Sequence, residues 1–276
     1  MERVIVVHVG CADCEAAARW ASWEAARRGL PLQLRHDGTP PASEETELVV
    51  ACARDVDDLS RSPCPCVLVP ERAGEPVAAE TVLGVDARDP AAEAVAFAFD
   101  TARRWGARLR AVHAWRLPAD AAELRFGIPE DDRATWEDHE VHLLSGVLRP
   151  WREKYPEVDV LEDVRLLSPV QALVRQSANA GLVVVGRSAR AASSAVARGL
   201  VARSRCPVAL VSRASPGSHV RAPRPGRRNA QRDRTQVDPS GGQVVGGPPV
   251  DVPGARFVVG KYGGVRMSDL GQGCAP

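Results

Sequence analysis

Four cysteines have the types and spacing to do chemistry. Cys11-Ala12-Asp13-Cys14 follows one apolar run and opens a helical one, where the amide field of a helix start lowers a thiol pKa. Cys64-Pro65-Cys66 supplies two more sulfurs, so Cys11, Cys14, Cys64 and Cys66 read as a thiol-redox pair or a four-thiolate zinc site. Against this, one pair sits at the carboxyl end of a strand and the other at the start of a strand, which are opposite edges of a parallel sheet. Cys64 also has a counterpart in Cys206, which suggests a structural role, and no metal is expected. His139 and His142, beside Asp138 and Glu140, lie three apart on a helical stretch with no further ligands at a fixed spacing, so a solvated helix face is the simpler reading. Gly186-Arg187-Ser188 is not a nucleophile elbow, because the frame closes on Arg190 and not on glycine. Asp86, Asp89, Glu93 and Asp100 read as a strand-end residue and the polar face of a helix. With no paired carboxylates, Ser/His/Asp set or Walker-type loop, the chain reads as non-catalytic.

The composition points the same way. Hydrophobic residues make up 45% of the 276 positions but aromatics only 4%, so the core is built from small and branched aliphatics, as suits helices packed on a parallel sheet. Basic residues are nearly all Arg, with Lys only at Lys154 and Lys261. The formal net charge is +1; residues 214–276 carry nine Lys/Arg against four Asp, a net +5, leaving about −4 on the rest. No basic face for nucleic acid is required there. No stretch approaches the roughly 20 apolar residues of a membrane span. The N-terminus turns polar too soon for a signal-peptide core, and the odd count of seven Cys favours reduced thiols, so a cytoplasmic location is expected.

The elements that position these residues are clearest from Val77 to Ser212. Thr81–Val85 is a short apolar run closing in Asp86. Val95, Phe99 and Ala102 share one helix face, Gly106 ends that helix, and Leu109–Trp115 reads as a strand. Trp136, Leu143, Leu144, Val147 and Trp151 mark a long helix that Pro156 stops. Val158–Leu167 should hold a third strand. Ser168-Pro169-Val170-Gln171 is a capping box with proline at the first helical position. Leu182–Gly186 is a strand covered on both faces, 191–203 a helix, and Cys206–Val211 the last strand. Strict alternation predicts a doubly wound, five-stranded parallel sheet of order 3-2-1-4-5 with helices on both faces.

The N-terminal segment repeats the ends of this unit. Arg3–Val9, Glu15–Arg28 and Leu32–His36 read as strand, helix and strand, and Trp20 to Leu32 aligns with Phe97 to Leu109 at an offset of 77. Cys64–Val69 aligns with Cys206–Val211 at an offset of 142. The first copy has therefore lost 65 residues from its middle, and such a remnant should pack against the second copy. The expected divisions are a truncated unit over 1–76, a complete unit over 77–213, and a flexible tail rich in Arg, Gly and Pro over 214–276. Six Arg lie within Arg221–Arg234, so nucleic acid is a partner only if this tail binds it, and Arg256–Val259 alone looks strand-like.

Val82–Asp86, the strand end Ala111-Val112-His113-Ala114-Trp115, Pro150–Pro156, Leu182–Gly186 and Arg205–Val208 together resemble the universal stress protein family, well over 77–212 and in fragments over 3–70. The resemblance implies a doubly wound sheet, dimerisation through the last strand (between two chains, or as a pseudo-dimer within one), a stress-response role and, in some members, ATP binding. Those members carry an Asp after the first strand, then Gly-x-x-Gly, nine residues and Gly-Ser/Thr. By that pattern the adenine-nucleotide residues here are Asp86, Gly186, Arg187, Ser188, Ala189, Gly199 and Leu200. Ala189 stands for the second glycine and Leu200 for the hydroxyl residue, with Arg187 and Arg190 as compensating cations. The departures favour retention of the fold over retention of the ligand. In the first copy Val9 occupies the Asp position, so no nucleotide is expected there.

Overall fold

A computed structural model describes residues 4–8, 15–35, 46–59, 62–77, 79–117, 130–187 and 191–212. The tail beyond Ser212, including Arg221–Arg234 and Arg256–Val259, lies outside them, as do Val9, Cys11 and Cys14.

The first half runs β1 (Val4–His8), α1 (Glu15–Arg28), β2 (Leu32–Arg35), β3 (Thr46–Cys52), a 3-10 turn (Ala53–Asp55), α2 (Val56–Leu59) and β4 (Cys66–Val69). The second runs β5 (Glu80–Gly84), α3 (Ala92–Trp105), β6 (Leu109–Trp115), α4 (Glu130–Lys154), β7 (Val160–Leu166), α5 (Pro169–Gln176), β8 (Ala180–Arg187), α6 (Ala191–Val201) and β9 (Val208–Ser212). Strand β3 adds to the elements expected from sequence.

Local chemistry sets the boundaries. Gly106 (φ +60°) and Gly29 (φ +64°) both end helices in the left-handed conformation that glycine adopts without a Cβ penalty. Ala107 N–H then donates to Ala102 O, as Leu30 N–H does to Ala25 O, so the two positions 77 apart close their helices by the same paired carbonyl cap. Ser168 caps α5, accepting from the Gln171 N–H at 3.4 Å.

All nine strands form one sheet in the order β2-β1-β3-β4-β9-β8-β5-β6-β7. Every pairing is parallel except β4 with β9, which is antiparallel. Its register sets Cys66 opposite Leu210, Val67 opposite Ala209 and Leu68 opposite Val208. Val67 and Ala209 are 142 residues apart, so the seam has the local symmetry of two equivalent strands meeting across a two-fold axis.

Helices cover both faces. One core layer joins Trp20 of α1, Phe99 and Trp105 of α3, and Leu144, Leu148 and Trp151 of α4 with inward residues of the strands. The other joins Leu59, Leu173 of α5 and Leu200 of α6 to the opposite sheet face. A second junction between the halves lies on the first face. Glu24, 1% exposed, accepts from the Trp105 indole N–H at 3.0 Å and from Arg28 Nε at 2.6 Å, and Trp23 meets Trp105 edge-on at 5.0 Å between centroids. Burial opposes the charge of Arg28, but the hydrogen bonds and fields of Glu24 and Glu47 raise its pKa further.

Candidate functional site

The chain leaves β5 toward β6 through α3 on one face, and leaves β8 toward β9 through α6 on the other. Strands β5 and β8 are neighbours, so their carboxyl ends flank a topological switch point, the place where open α/β sheets hold ligands. Asp86 and Gly186 both stand at this edge.

Asp86 is exposed just past β5. Its Oδ1 accepts from the Arg88 backbone N–H at 3.0 Å and its carbonyl accepts from Asp89 N–H at 3.1 Å, a self-bonded Asx turn that holds the carboxylate at the carboxyl end of β5. Gly186 lets α3 approach: a Cβ there would lie 2.5 Å from the Ala91 Cβ. The sequence reading gave this glycine to ligand approach alone, whereas here it also permits helix–strand contact.

The other expected site residues fare differently. Ser188, Ala189 and Arg190 lie outside the described residues. Gly199 and Leu200 fall in the last turn of α6, with Leu200 wholly buried in the second core layer. This corrects their assignment to the crevice: Ala197, Leu200 and Val201 are all buried at the i, i+3, i+4 spacing of a core-facing helix stripe, and most of the nine residues counted before Gly199 belong to the eleven-residue helix itself. Position 199 faces Val170, whose methyls would be 3.5 Å from an added Cβ.

Arg187 also departs from expectation. Its guanidinium turns away from the crevice and is 9% exposed. Nη1 donates to Leu59 O at 2.7 Å, while Nη2 reaches Ser62 O at 2.7 Å, Cys64 O at 3.1 Å and Ser212 Oγ at 2.5 Å. A cation of the second half thus binds the chain that leads into β4 of the first. Burial lowers its pKa, and these contacts leave it unable to act as the compensating phosphate cation.

Beneath Asp86 lies a charged cluster that sequence reasoning missed. His113 of β6 and Glu140 of α4 are 1% and 3% exposed. His113 Nε2 is 2.9 Å from Glu140 Oε2, and Arg88 grips both oxygens of Glu140, Nη1 to Oε2 at 2.7 Å and Nη2 to Oε1. Burial pushes the Glu140 carboxyl up, but the hydrogen bonds from Arg88 and His113 prevail and hold its pKa below the ordinary range. The signal was present: Glu140 falls four residues from both Trp136 and Leu144, on the apolar stripe itself. His139 and His142 are exposed, and His142 Nδ1 contacts Asp138 O of its own helix at 2.7 Å.

The described thiols are quiet. Cys64, Cys66 and Cys206 form no disulfide. Burial pushes the Cys64 and Cys66 pKa up, with Arg187 only partly opposing it, and pushes Cys206 up to about 11. An activated thiol needs the opposite shift. Among the described residues no group of three or more His, Cys, Asp or Glu could hold a metal, and no helix is long and apolar enough to cross a membrane.

Residues 80–212 match the family model described as the universal stress protein family. Universal stress protein Rv2005c of Mycobacterium tuberculosis is 36% identical over 130 residues, covering 47% of this chain and 42% of that protein. Universal stress protein Rv1996 of the same organism is 32% identical over 145 residues, covering 51% and 45%. The chain therefore spans less than half the length of these curated relatives. A universal stress protein solved in complex with cAMP is 22% identical and covers 49% of this chain and 97% of that one, with a TM-score of 0.36. Residues 80–212 form a domain of the universal stress protein family.

Proposed function

We propose that the chain is a non-catalytic stress-response protein in which a complete universal-stress domain carries one adenine-nucleotide crevice and a truncated first unit serves as its built-in partner. The divisions are 1–76, 77–213 and a tail over 214–276. The observation that carries the reading is the β4–β9 seam, whose antiparallel register sets Val67 opposite Ala209, its equivalent at the 142-residue offset. A last strand already paired with its counterpart in the same chain has no free edge for a second copy, so the partner contact is internal and the chain is a pseudo-dimer.

The crevice assigned to ATP or another adenine nucleotide is that of Asp86 and Gly186 at the β5–β8 switch point, with the start of α6 directing its helix field at phosphate. Of the residues expected to serve it, Asp86, Gly186, Ser188 and Ala189 remain in this proposal. Gly199, Leu200 and the Arg187 side chain do not. Support comes from Asp86 standing exposed where ligands enter such sheets, from the fixed turn that presents it, and from a cationic Arg88 at the same mouth. Titration calorimetry of the full chain with ATP tests the reading: a single site per chain is expected, abolished by Asp86→Ala. A heat signal unchanged in Asp86→Ala, or none from the intact protein, would remove the nucleotide and leave a ligand-free scaffold.

A further inference from the structure

We propose that His113 is the positioning residue of the Asp86 turn and couples nucleotide affinity there to proton uptake; the inference rests on the nucleotide reading above. His113 Nδ1 lies 3.1 Å from the Val85 carbonyl oxygen and 3.3 Å from the Ala87 nitrogen. These two backbone groups bracket Asp86, and they ask opposite things of one ring atom. Val85 O requires a donor, and Ala87 N–H requires an acceptor.

The far side of the ring limits its states. Glu140, held ionised by Arg88, accepts from Nε2, so Nε2 carries a proton throughout. Only two forms remain. In the neutral ring the Nδ1 lone pair accepts from Ala87 N–H and faces the Val85 oxygen unfavourably. In the imidazolium Nδ1–H donates to Val85 O, and the Ala87 N–H loses its acceptor. Protonation therefore moves the ring's hold from one side of Asp86 to the other, with no side-chain rotation required.

The charged groups around the ring fix the sign. Glu140 comes from α4, with Arg88 and Asp86 from the turn after β5. On the same face of the neighbouring strand β7, Glu162 is bound by Ser145 and by Arg152 at 2.7 Å. Helix α3 turns the apolar Ala94, Val95 and Ala98 into this layer. Glu140 is already shared with Arg88, so a proton on His113 adds net positive charge beneath the crevice mouth. A polyanionic nucleotide favours that form, and by linkage its binding draws a proton onto the ring.

The test follows the His113 ring nitrogens and the Ala87 amide by NMR in the labelled full chain from about pH 8 to pH 5, the span in which imidazoles change charge, with ATP calorimetry at the same pH values. The ring and the Ala87 amide should titrate together, and ATP affinity should rise as pH falls through their shared midpoint. In Glu140→Gln, which keeps the packing but removes the counter-charge, both midpoints move to lower pH together. In His113→Gln, ATP affinity is weaker and loses that pH dependence. An Ala87 amide indifferent to the ring, or affinity that stays flat through the ring's titration, overturns the role of His113 alone. No ATP binding at any pH overturns the nucleotide reading and this inference with it.

Discussion

Replacing Arg187 with alanine should destabilise the protein by about 2–4 kcal/mol, and the number can be built from its contacts. Hydrogen bonds from a charged donor contribute roughly 1.5–3 kcal/mol each in isolation, and Arg187 makes four. Two effects reduce the sum. Holding a guanidinium in the interior already costs several kcal/mol, and its Nε finds no partner. The abandoned acceptors also keep second donors: Leu59 O has Ser62 N–H at 3.1 Å, Ser62 O has Ser212 Oγ at 3.0 Å, and Cys64 O has Cys66 Sγ at 3.4 Å. What remains is the void and the partial loss at three carbonyls, within the range of a broken buried network. Urea unfolding measures it as a fall in midpoint at unchanged slope, and Arg187→Met, which fills the volume without the donors, should recover only part of the loss. Alkylation of Cys64 and Cys66 should quicken as the segment before β4 loosens. A variant within about 0.5 kcal/mol of the parent, with thiols no more reactive, would refute the idea that Arg187 ties the halves together.

Other outcomes follow from the same geometry. Gly186→Ala should cost about 1–3 kcal/mol by thermal or chemical unfolding, since its Cβ would collide with Ala91. Gly199→Ala should instead stabilise by about 0.4–1 kcal/mol, because a helical site with room for a methyl gains from a stiffer unfolded chain, and it should leave ATP binding intact. Glu140 and Asp100 both have lowered carboxyl pKa values despite the opposing effect of burial, through His113 and Arg88 in one case and Arg103 and Arg104 in the other. A depressed carboxyl contributes stability that is complete above the unfolded value of about 4 and is lost as pH falls through the folded value. Acid unfolding of Glu140→Gln should accordingly be shallower than that of the parent over that window.

Much of the architecture was legible because local rules agreed with the global fold. Helix α1 closes on Gly29 and α3 on Gly106, both visible as glycines after apolar periodicity. Helix α5 announces itself through Ser168 and Pro169, and β8 is a continuous aliphatic run. Strand β3 was harder: Thr46–Cys52 is equally buried, yet it falls between the two stretches that the repeat aligns, and a short apolar run there could belong to either structure type.

The site was less legible, for reasons of side-chain direction. A motif spacing counts residues along the chain, so Gly199 and Leu200 matched a loop pattern while lying on a helix whose stripe of Ala197, Leu200 and Val201 points inward. Arg187 follows Val183 and Val185 at the two-residue period of a strand face, and that alternation carries it into the interior against the first half. Glu140 was overlooked between two exposed histidines, because a polar run hides the one member that lies on the buried stripe.

Native mass spectrometry of the full chain with ATP added, compared with Asp86→Ala, is the most direct measurement. A single chain carrying one nucleotide is expected, with no nucleotide on the variant. A dimer of chains, or two nucleotides on one chain, would contradict the built-in partner and the single crevice.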